Sequence, residues 1–239
     1  MELTRMIPLR RSVRSYRSES LALDVLDRIV AFADSIAPLD QDVQVQHRLI
    51  GTSQARFLQK WKTPHAFVFF AENTEKGLIN VGYMYQHLDL YLQSLGLGAC
   101  WVGLGWLHED VPVPPGMTVA VMMPFGTPDD VPLRTGEGDF RRKAMADITD
   151  APDDRLEVAR LAPSATNSQP WYFTHASDAI HVYREQLSGI KLRTLGRMNP
   201  IDMGIALAHL YVAHRDTFRF TREDAPVPDG YLYVGTVRL

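Results

Sequence analysis

The chain has 239 residues, 46% hydrophobic and 22% charged, enough for one large core or two small ones. Its net charge of -3 supplies no basic field to gather nucleic acid or an anionic membrane surface. The single cysteine, Cys100, excludes an intrachain disulfide, and no apolar run reads as a signal or a membrane span, so a soluble cytoplasmic protein is expected.

Ser20 reads as the N-cap of a first helix, with Leu23, Leu26, Ile29, Val30 and Ala33 at helical spacing and a stop at Pro38. Residues 43–50, VQVQHRLI, alternate as a half-buried strand does, and AFVFFA (66–71) has the short apolar look of a central strand. A long helix follows from Ile79, ending at Gly96 or Gly98, and residues 118–126 read as another buried strand. The Pro-, Asp- and Gly-rich stretch from Thr127 reads as a surface loop. Beyond it come a short helix (153–161), a hairpin (171–184), a helix (201–214) and a last strand from Tyr231.

The second set of elements repeats the first. INVGYMYQHL (79–88) aligns with IDMGIALAHL (201–210), SIAP (35–38) with RLAP (160–163), and PFGT (124–127) with YVGT (233–236), all in the same order. Three collinear matches point to an internal duplication with its junction near residue 150, giving halves 1–150 and 151–239. Two such halves would imitate a two-fold homodimer within one chain. Each half keeps a polar motif the other lacks, which is economical if one site is built from both.

Four motifs carry that site. RRSVRSY offers Arg10, Arg11, Ser12 and Arg14, readable as a solvated basic head or as forked donors for a phosphate. Residues 141–143 add a second basic cluster, Arg141, Arg142 and Lys143. GLGACWVGLGW holds Gly96, Gly98, Gly103 and Gly105; a helix cap explains the first two, and close approach to a flat ligand suits the last two. APSATNSQPW packs Ser164, Asn167 and Gln169 into what is either a polar turn or the partner of a heterocycle's edge. The eight histidines show no metal-ligand spacing, and neither a nucleophile elbow nor a phosphate loop is present.

Together, RRSVRSY, GLGACWVG, the late RRK and APSATNSQPW resemble the flavin-dependent nitroreductase family, in particular its branch with two family-like halves fused in one polypeptide. The resemblance implies an α+β nitroreductase-like fold with two pseudo-two-fold related halves, binding FMN. Arg10, Arg11 and Ser12 would face the FMN phosphate or ribityl chain, and Arg14 the N1–C2=O edge. Arg142 and Lys143 would complete the phosphate site, and the backbone of Gly103, Leu104 and Gly105 would point at N5. Pro163, Ser164 and Asn167, which a partner subunit donates in ordinary members, would come from the second half of the same chain. The implied activity is ping-pong hydride transfer from NADH or NADPH to a nitroaromatic, quinone or similar small acceptor, with flavin N5 rather than a protein side chain carrying the chemistry. A flavin-storing or sensing protein and a structural pseudoenzyme are the alternatives. The fused unit would stand as a monomer or pair into a homodimer. The second half has no R-R-S-x-R and the first no N-x-Q-P-W, so the second pseudo-symmetric site should be dead; APLDQDVQ, the first half's counterpart of APSATNSQPW, also carries acids that would repel a phosphate.

Overall fold

The computed structural model describes residues 3–58, 63–129 and 133–239; part of the surface loop expected after Thr127, residues 130–132, lies outside them. In chain order the helices and strands are α1 (Leu23–Asp34), β1 (Val45–Gly51), β2 (Ala55–Phe57), β3 (His65–Ala71), α2 (Glu75–Ser94), β4 (Gly98–Ala99), β5 (Gly105–Leu107) and β6 (Thr118–Gly126). Then come α3 (Glu157–Arg160), β7 (Trp171–Ala176), β8 (Ala179–Glu185), α4 (Gly189–Leu195), α5 (Met198–Ala213), β9 (Arg219–Thr221) and β10 (Tyr231–Arg238).

The sheets follow a common plan. The first has the order β1-β3-β6-β4 and the second β7-β8-β10-β9, and every pairing is antiparallel. In each, the first two strands lead into a long helix, which returns through a short edge strand to the remaining inner strand. A third, two-stranded ribbon pairs β2 with β5. β3 is buried along its whole length, as the unbroken apolar run AFVFFA requires of an inner strand.

α2 and α5 pack on each other, and one continuous core runs from the first sheet through both helices into the second. Both helices are buried around most of their circumference, which is why their apolar residues show no single stripe. Their crossing depends on two glycines. A Cβ on Gly82 would lie 1.9 Å from the carbonyl oxygen of Ile201, and one on Gly204 would lie 2.0 Å from that of Ile79. Ile79 and Gly82 are spaced as Ile201 and Gly204 are, so the contact is self-complementary, as at a two-fold axis. A second pair of contacts has the same form. Asn80 Oδ1 accepts the Asp40 N–H (2.9 Å), and Asp202 Oδ1 accepts the Ala165 N–H (3.0 Å).

Several boundaries differ from the sequence reading. α1 is capped at Ala22 without a side-chain bond, so Ser20 is not its N-cap, and it ends at Asp34 rather than Pro38. Asp24 in the first turn offsets the missing cap by placing negative charge at the helix N-terminus. α2 starts at Glu75, four residues before Ile79, because the Thr74 side chain accepts the Gly77 N–H at 3.1 Å. It stops where Gly96 takes φ +74° and the N–H groups of Gly96 and Leu97 bond back to Gln93 and Leu92. The expected helix over 153–161 is a 3₁₀ turn (Asp154–Leu156) continued by α3. β2, β4, β5, α4 and β9 are too short for periodicity to reveal. Among the described residues no helix is long and apolar enough to cross a membrane.

The segment around residue 150 is pinned to β7. Phe173 N–H donates to Ile148 O at 2.8 Å, and Asp150 N–H returns to Phe173 O at 3.2 Å. The His175 ring reaches Asp150 Oδ1 (2.7 Å) through Nδ1 and Asp153 Oδ2 (3.0 Å) through Nε2, while Arg155 also grips Asp153. Burial pulls the His175 pKa down, but the bonds and charges of the two aspartates outweigh it and leave it above the usual 6.5. A histidine raised on folding stabilises fully below its unfolded pKa and loses that contribution as pH rises through the folded value. The stability of the chain should therefore fall as pH rises from about 6.5, and His175→Ala should flatten that slope in denaturant titrations across the same range.

Candidate active site

Three distant stretches meet at one cleft. Ser12 forms an isolated bridge to Ala99, which brings the N-terminal segment alongside β4. The chain leaving β4 then passes through Cys100, Trp101, Val102, Gly103 and Leu104, while residues 163–166 and the first turns of α5 close the far side. The cleft has a volume of about 740 Å³, within the roughly 300–1,000 Å³ typical of ligand sites.

Of the residues singled out in the sequence, Ser12, Arg14, Gly103, Leu104, Pro163 and Ser164 line this cavity. Arg10, Arg11, Gly105, Arg142, Lys143 and Asn167 do not line it, and their surroundings differ. Gly105 begins the ribbon strand β5, where a Cβ would meet Met122 and Phe57. Arg10 is fully buried and ion-paired, its Nε 2.8 Å from Asp89 Oδ2, and its Nη2 donates to Ser12 Oγ at 3.1 Å. Gln93, one turn along α2 from Asp89, donates to Arg11 O at 2.9 Å, so two buried polar groups of α2 hold the arginine segment in place.

The stretch 164–169 holds the other basic cluster. Asn167 receives Arg142 Nη1 at 2.6 Å and donates to Arg141 O at 2.7 Å, so both ends of its amide are taken by protein. Gln169 accepts the Lys143 N–H through its side chain (2.7 Å) and Lys143 Nζ through its carbonyl (2.9 Å). The turn that does this is strained, since Thr166, Asn167 and Gln169 have φ of 52°, 60° and 50°. Side chains disfavour that left-handed region, and such conformations concentrate at functional sites. Asp202, buried and cavity-lining, steadies it by accepting the Ala165 N–H; burial pushes its carboxyl well above the usual range.

Beside the cleft the arginines crowd together. Arg134 donates to Arg10 O, and Arg134 and Arg142 stand over the Phe140 ring at 4.1 and 5.1 Å. Burial, followed by repulsion from Arg10, Arg134 and Arg160, pushes Arg142 down to about 10. Burial, with Arg10 and Arg11 nearby, does the same to Arg134. Arg142 Nε is buried without a hydrogen-bond partner. A buried N–H of this kind needs an acceptor, which an anion among these arginines would supply. Sequence patterns do not single out Arg134, because it sits alone in a stretch rich in turn formers.

The wall at Trp101 is fixed by a buried chain of bonds. His209 is fully buried, which pulls its pKa down to about 3 and keeps the ring neutral. Its Nδ1 donates to Val158 O (2.8 Å), so Nε2 accepts from the Gln86 amide (3.1 Å), whose Oε1 accepts Trp101 Nε1–H (3.1 Å). The cavity wall is thus tied through α2 to α5. Neither Gln86 nor His209 could be found from sequence, since nothing in their spacing connects them to Trp101.

The acids of APLDQDVQ are already paired. Arg222 grips Asp40 with both guanidinium arms, and Lys76 meets Asp42 at 3.0 Å. The expectation that these acids would repel a phosphate is corrected to that extent, because their charge is answered within the chain.

The family model described as "Putative TM nitroreductase" matches residues 2–214. The chain belongs to this nitroreductase family. Its fold is nitroreductase-like and is similar to that of a "putative nitroreductase" from Thermotoga maritima, at 19% identity over 99% of this chain and 92% of that one, with a TM-score of 0.63. A nitroreductase with bound FMN from Desulfitobacterium hafniense matches at 13% identity over 60% of this chain and 99% of that one, with a TM-score of 0.46. A "Putative NADH dehydrogenase/NAD(P)H nitroreductase" from Bacteroides thetaiotaomicron matches at 17% identity over 61% and 95%, with a TM-score of 0.48. No curated protein matches the chain.

Proposed function

We propose that this nitroreductase-family chain is an FMN-dependent oxidoreductase that takes hydride from NADH or NADPH and passes it to a nitroaromatic, quinone or similar acceptor. The observation that carries this reading is the meeting of Ser12, Arg14, Gly103, Leu104, Pro163 and Ser164 around one cavity, next to an arginine cluster with an unpartnered buried Nε. The residues fit the cofactor: the cleft holds about 740 Å³, its lining mixes apolar groups with the hydroxyls of Ser12, Ser164 and Thr166, and the adjoining arginine cluster could answer a phosphate. Bound flavin would supply the hydride chemistry, so the chain needs no nucleophile of its own.

The protein's part is to bind, orient and bias. Arg10, Arg11, Arg134 and Arg142 would answer the phosphate charge, with Ser12 adding a hydroxyl between that cluster and the cavity. Lys143 and Asn167 would act through Gln169 and Arg142, holding the basic segment against the 164–169 turn rather than touching the ligand. Gly103 has no Cβ, and one placed there would lie 2.8 Å from Met198 Sδ, so glycine lets the backbone pack close against α5 at the cavity wall. Arg14 on the cavity wall would hold positive charge against the ring, favouring its reduced, anionic form. Arg14→Ala should lower the bound flavin's midpoint potential in a spectroelectrochemical titration; an unchanged potential with flavin still bound removes Arg14 from that role.

The matching sheet orders, the reciprocal glycine contacts and the paired Asn80 and Asp202 bonds support reading residues 1–150 and 151–239 as two copies of one unit, with the single site assembled from both. The Arg222–Asp40 pair then fills the second position. Saturation with FMN, removal of excess and a count of flavin per chain test the whole reading. About one per chain that bleaches with NADH or NADPH and recovers with an acceptor supports it. A value near two contradicts the filled second position, and a value near zero removes the oxidoreductase.

A further inference from the structure

The two sheets share a plan, so the places where their connections differ stand out. Between β3 and α2 the chain spends residues 72–74, whereas between β8 and α5 it spends residues 186–197 and builds α4. Between β7 and β8 there are only Ser177 and Asp178, whereas the corresponding run from β1 to β3 carries β2, which pairs with β5 to form the ribbon. Each extra piece has no counterpart in the other part of the chain, and both border the same cavity. Leu104 at the foot of the ribbon lines it from one side; Arg193, Thr194 and Leu195 of α4 line it from the other.

These two pieces also carry most of the molecule's exposed large apolar side chains. Of nine such residues among those described, five are on them: Leu58, Leu104 and Trp106 at the ribbon, Ile190 and Leu192 on α4. Leu58 N–H donates to Leu104 O, which keeps the ribbon's apolar tips together. Of these five, Leu104 lines the cavity itself, and Leu195 of α4 lines it from the other side, so both inserted pieces offer apolar contact to a flat ligand in the opening.

Charge narrows the class further. Arg197 donates to Thr118 Oγ1 and Val119 O, and Lys191 reaches Glu185 at 3.5 Å. Arg193 lies between them in sequence, lines the cavity and makes no hydrogen bond or ion pair among the described residues. The one acid lining the cavity, Asp202, is buried and already bonded to the 165 backbone. The opening therefore presents a solvent-exposed guanidinium, without a protein partner among the described residues, beside the apolar Leu104 and Leu195.

We infer that the acceptor taken by this cleft is an aromatic molecule carrying a carboxylate, its ring against the ribbon and α4 and its anionic group on Arg193. The inference deepens the proposed oxidoreductase reading and rests on it for the word acceptor. A matched pair, 4-nitrobenzoate and 4-nitrobenzamide, tests it, first by calorimetric titration into the FMN-loaded protein, or into the protein as isolated if no FMN is retained. The benzoate should bind about fivefold more tightly, by the size of a partly screened ion pair, and should lose that advantage as salt rises. Arg193→Gln should bring the two affinities together and Arg193→Glu should reverse them, while Arg197→Gln keeps the preference. Equal binding in the unaltered chain, or a preference that survives Arg193→Gln, overturns the inference. The same pair is then offered as acceptors during NADH and NADPH oxidation. A carboxylate preference in binding without turnover of either compound leaves the inference standing and removes the oxidoreductase; turnover of both without preference does the reverse.

Discussion

Alanine at Gly82 or at Gly204 should cost the chain about 3–5 kcal/mol, at the upper end of what single substitutions do. The added methyl would meet a backbone carbonyl at 1.9 or 2.0 Å, and a carbonyl inside a helix cannot swing away as a side-chain tip can. The helices must then separate, and the core they share with both sheets opens with them. Against this, alanine's helix propensity returns only about 1 kcal/mol. The double variant should cost clearly less than the two singles together, because the first methyl already forces the separation that admits the second. Chemical denaturation followed by circular dichroism measures all three. Losses below about 1 kcal/mol in both singles would mean that α2 and α5 do not approach as closely as described.

The second large effect concerns Arg10 and Asp89, both fully buried. Arg10→Met leaves a carboxylate without its partner in the core and should cost about 3–5 kcal/mol. Replacing both, as Arg10→Met with Asp89→Leu, removes the stranded charge and should recover most of that loss, since a buried ion pair rarely stabilises more than an apolar pair of similar volume. Flavin affinity should behave differently. If Arg10 serves the phosphate as proposed, the double variant regains stability yet still binds FMN weakly. Recovery of both would make Arg10 a structural residue, and the phosphate would then depend on Arg134 and Arg142.

The sequence carried most of the long elements because their signals are local. AFVFFA and residues 118–126 are apolar runs bounded by turn formers, and the structure places them as neighbouring inner strands. Gly96 announced the end of α2, and a left-handed φ there is the physical reason. The start of α2 was harder to read, because Thr74 caps through a side-chain bond that only the folded turn makes. Ser20 misled for the converse reason, since a good capping residue two positions away from the real boundary looks the same in one dimension.

The candidate site divides along the same line. Ser12, Arg14, Gly103, Leu104, Pro163 and Ser164 meet at the cavity, and they can be picked out in sequence because the motifs that contain them have a composition unusual for a connector. Asn167 and Lys143 belong to those motifs too, but their polar groups are spent on neighbours, and composition cannot tell a ligand-facing amide from one that holds a turn. Arg134, Gln86, His209 and Asp202 escaped because their importance arises from contacts far apart in sequence. Arg134 meets Arg10 across more than a hundred residues, and His209 meets Gln86 across a similar distance.

The ion pair of Arg222 with Asp40 has a consequence for how such a chain can change. In an assembly of two identical subunits every substitution is made twice, and a residue that improves one wall of a cleft appears unasked in the other cleft as well. Here, on the proposed reading in two halves, the counterpart of the cavity is taken up by a guanidinium and a carboxylate that pair with each other. If the chain holds a single site, as proposed, the ribbon and α4, each present once among the described residues, can lengthen, shorten or exchange side chains with one opening to satisfy. A chain arranged in this way can revise what its cleft takes, one residue at a time, while the glycine crossing of α2 and α5 stays as it is.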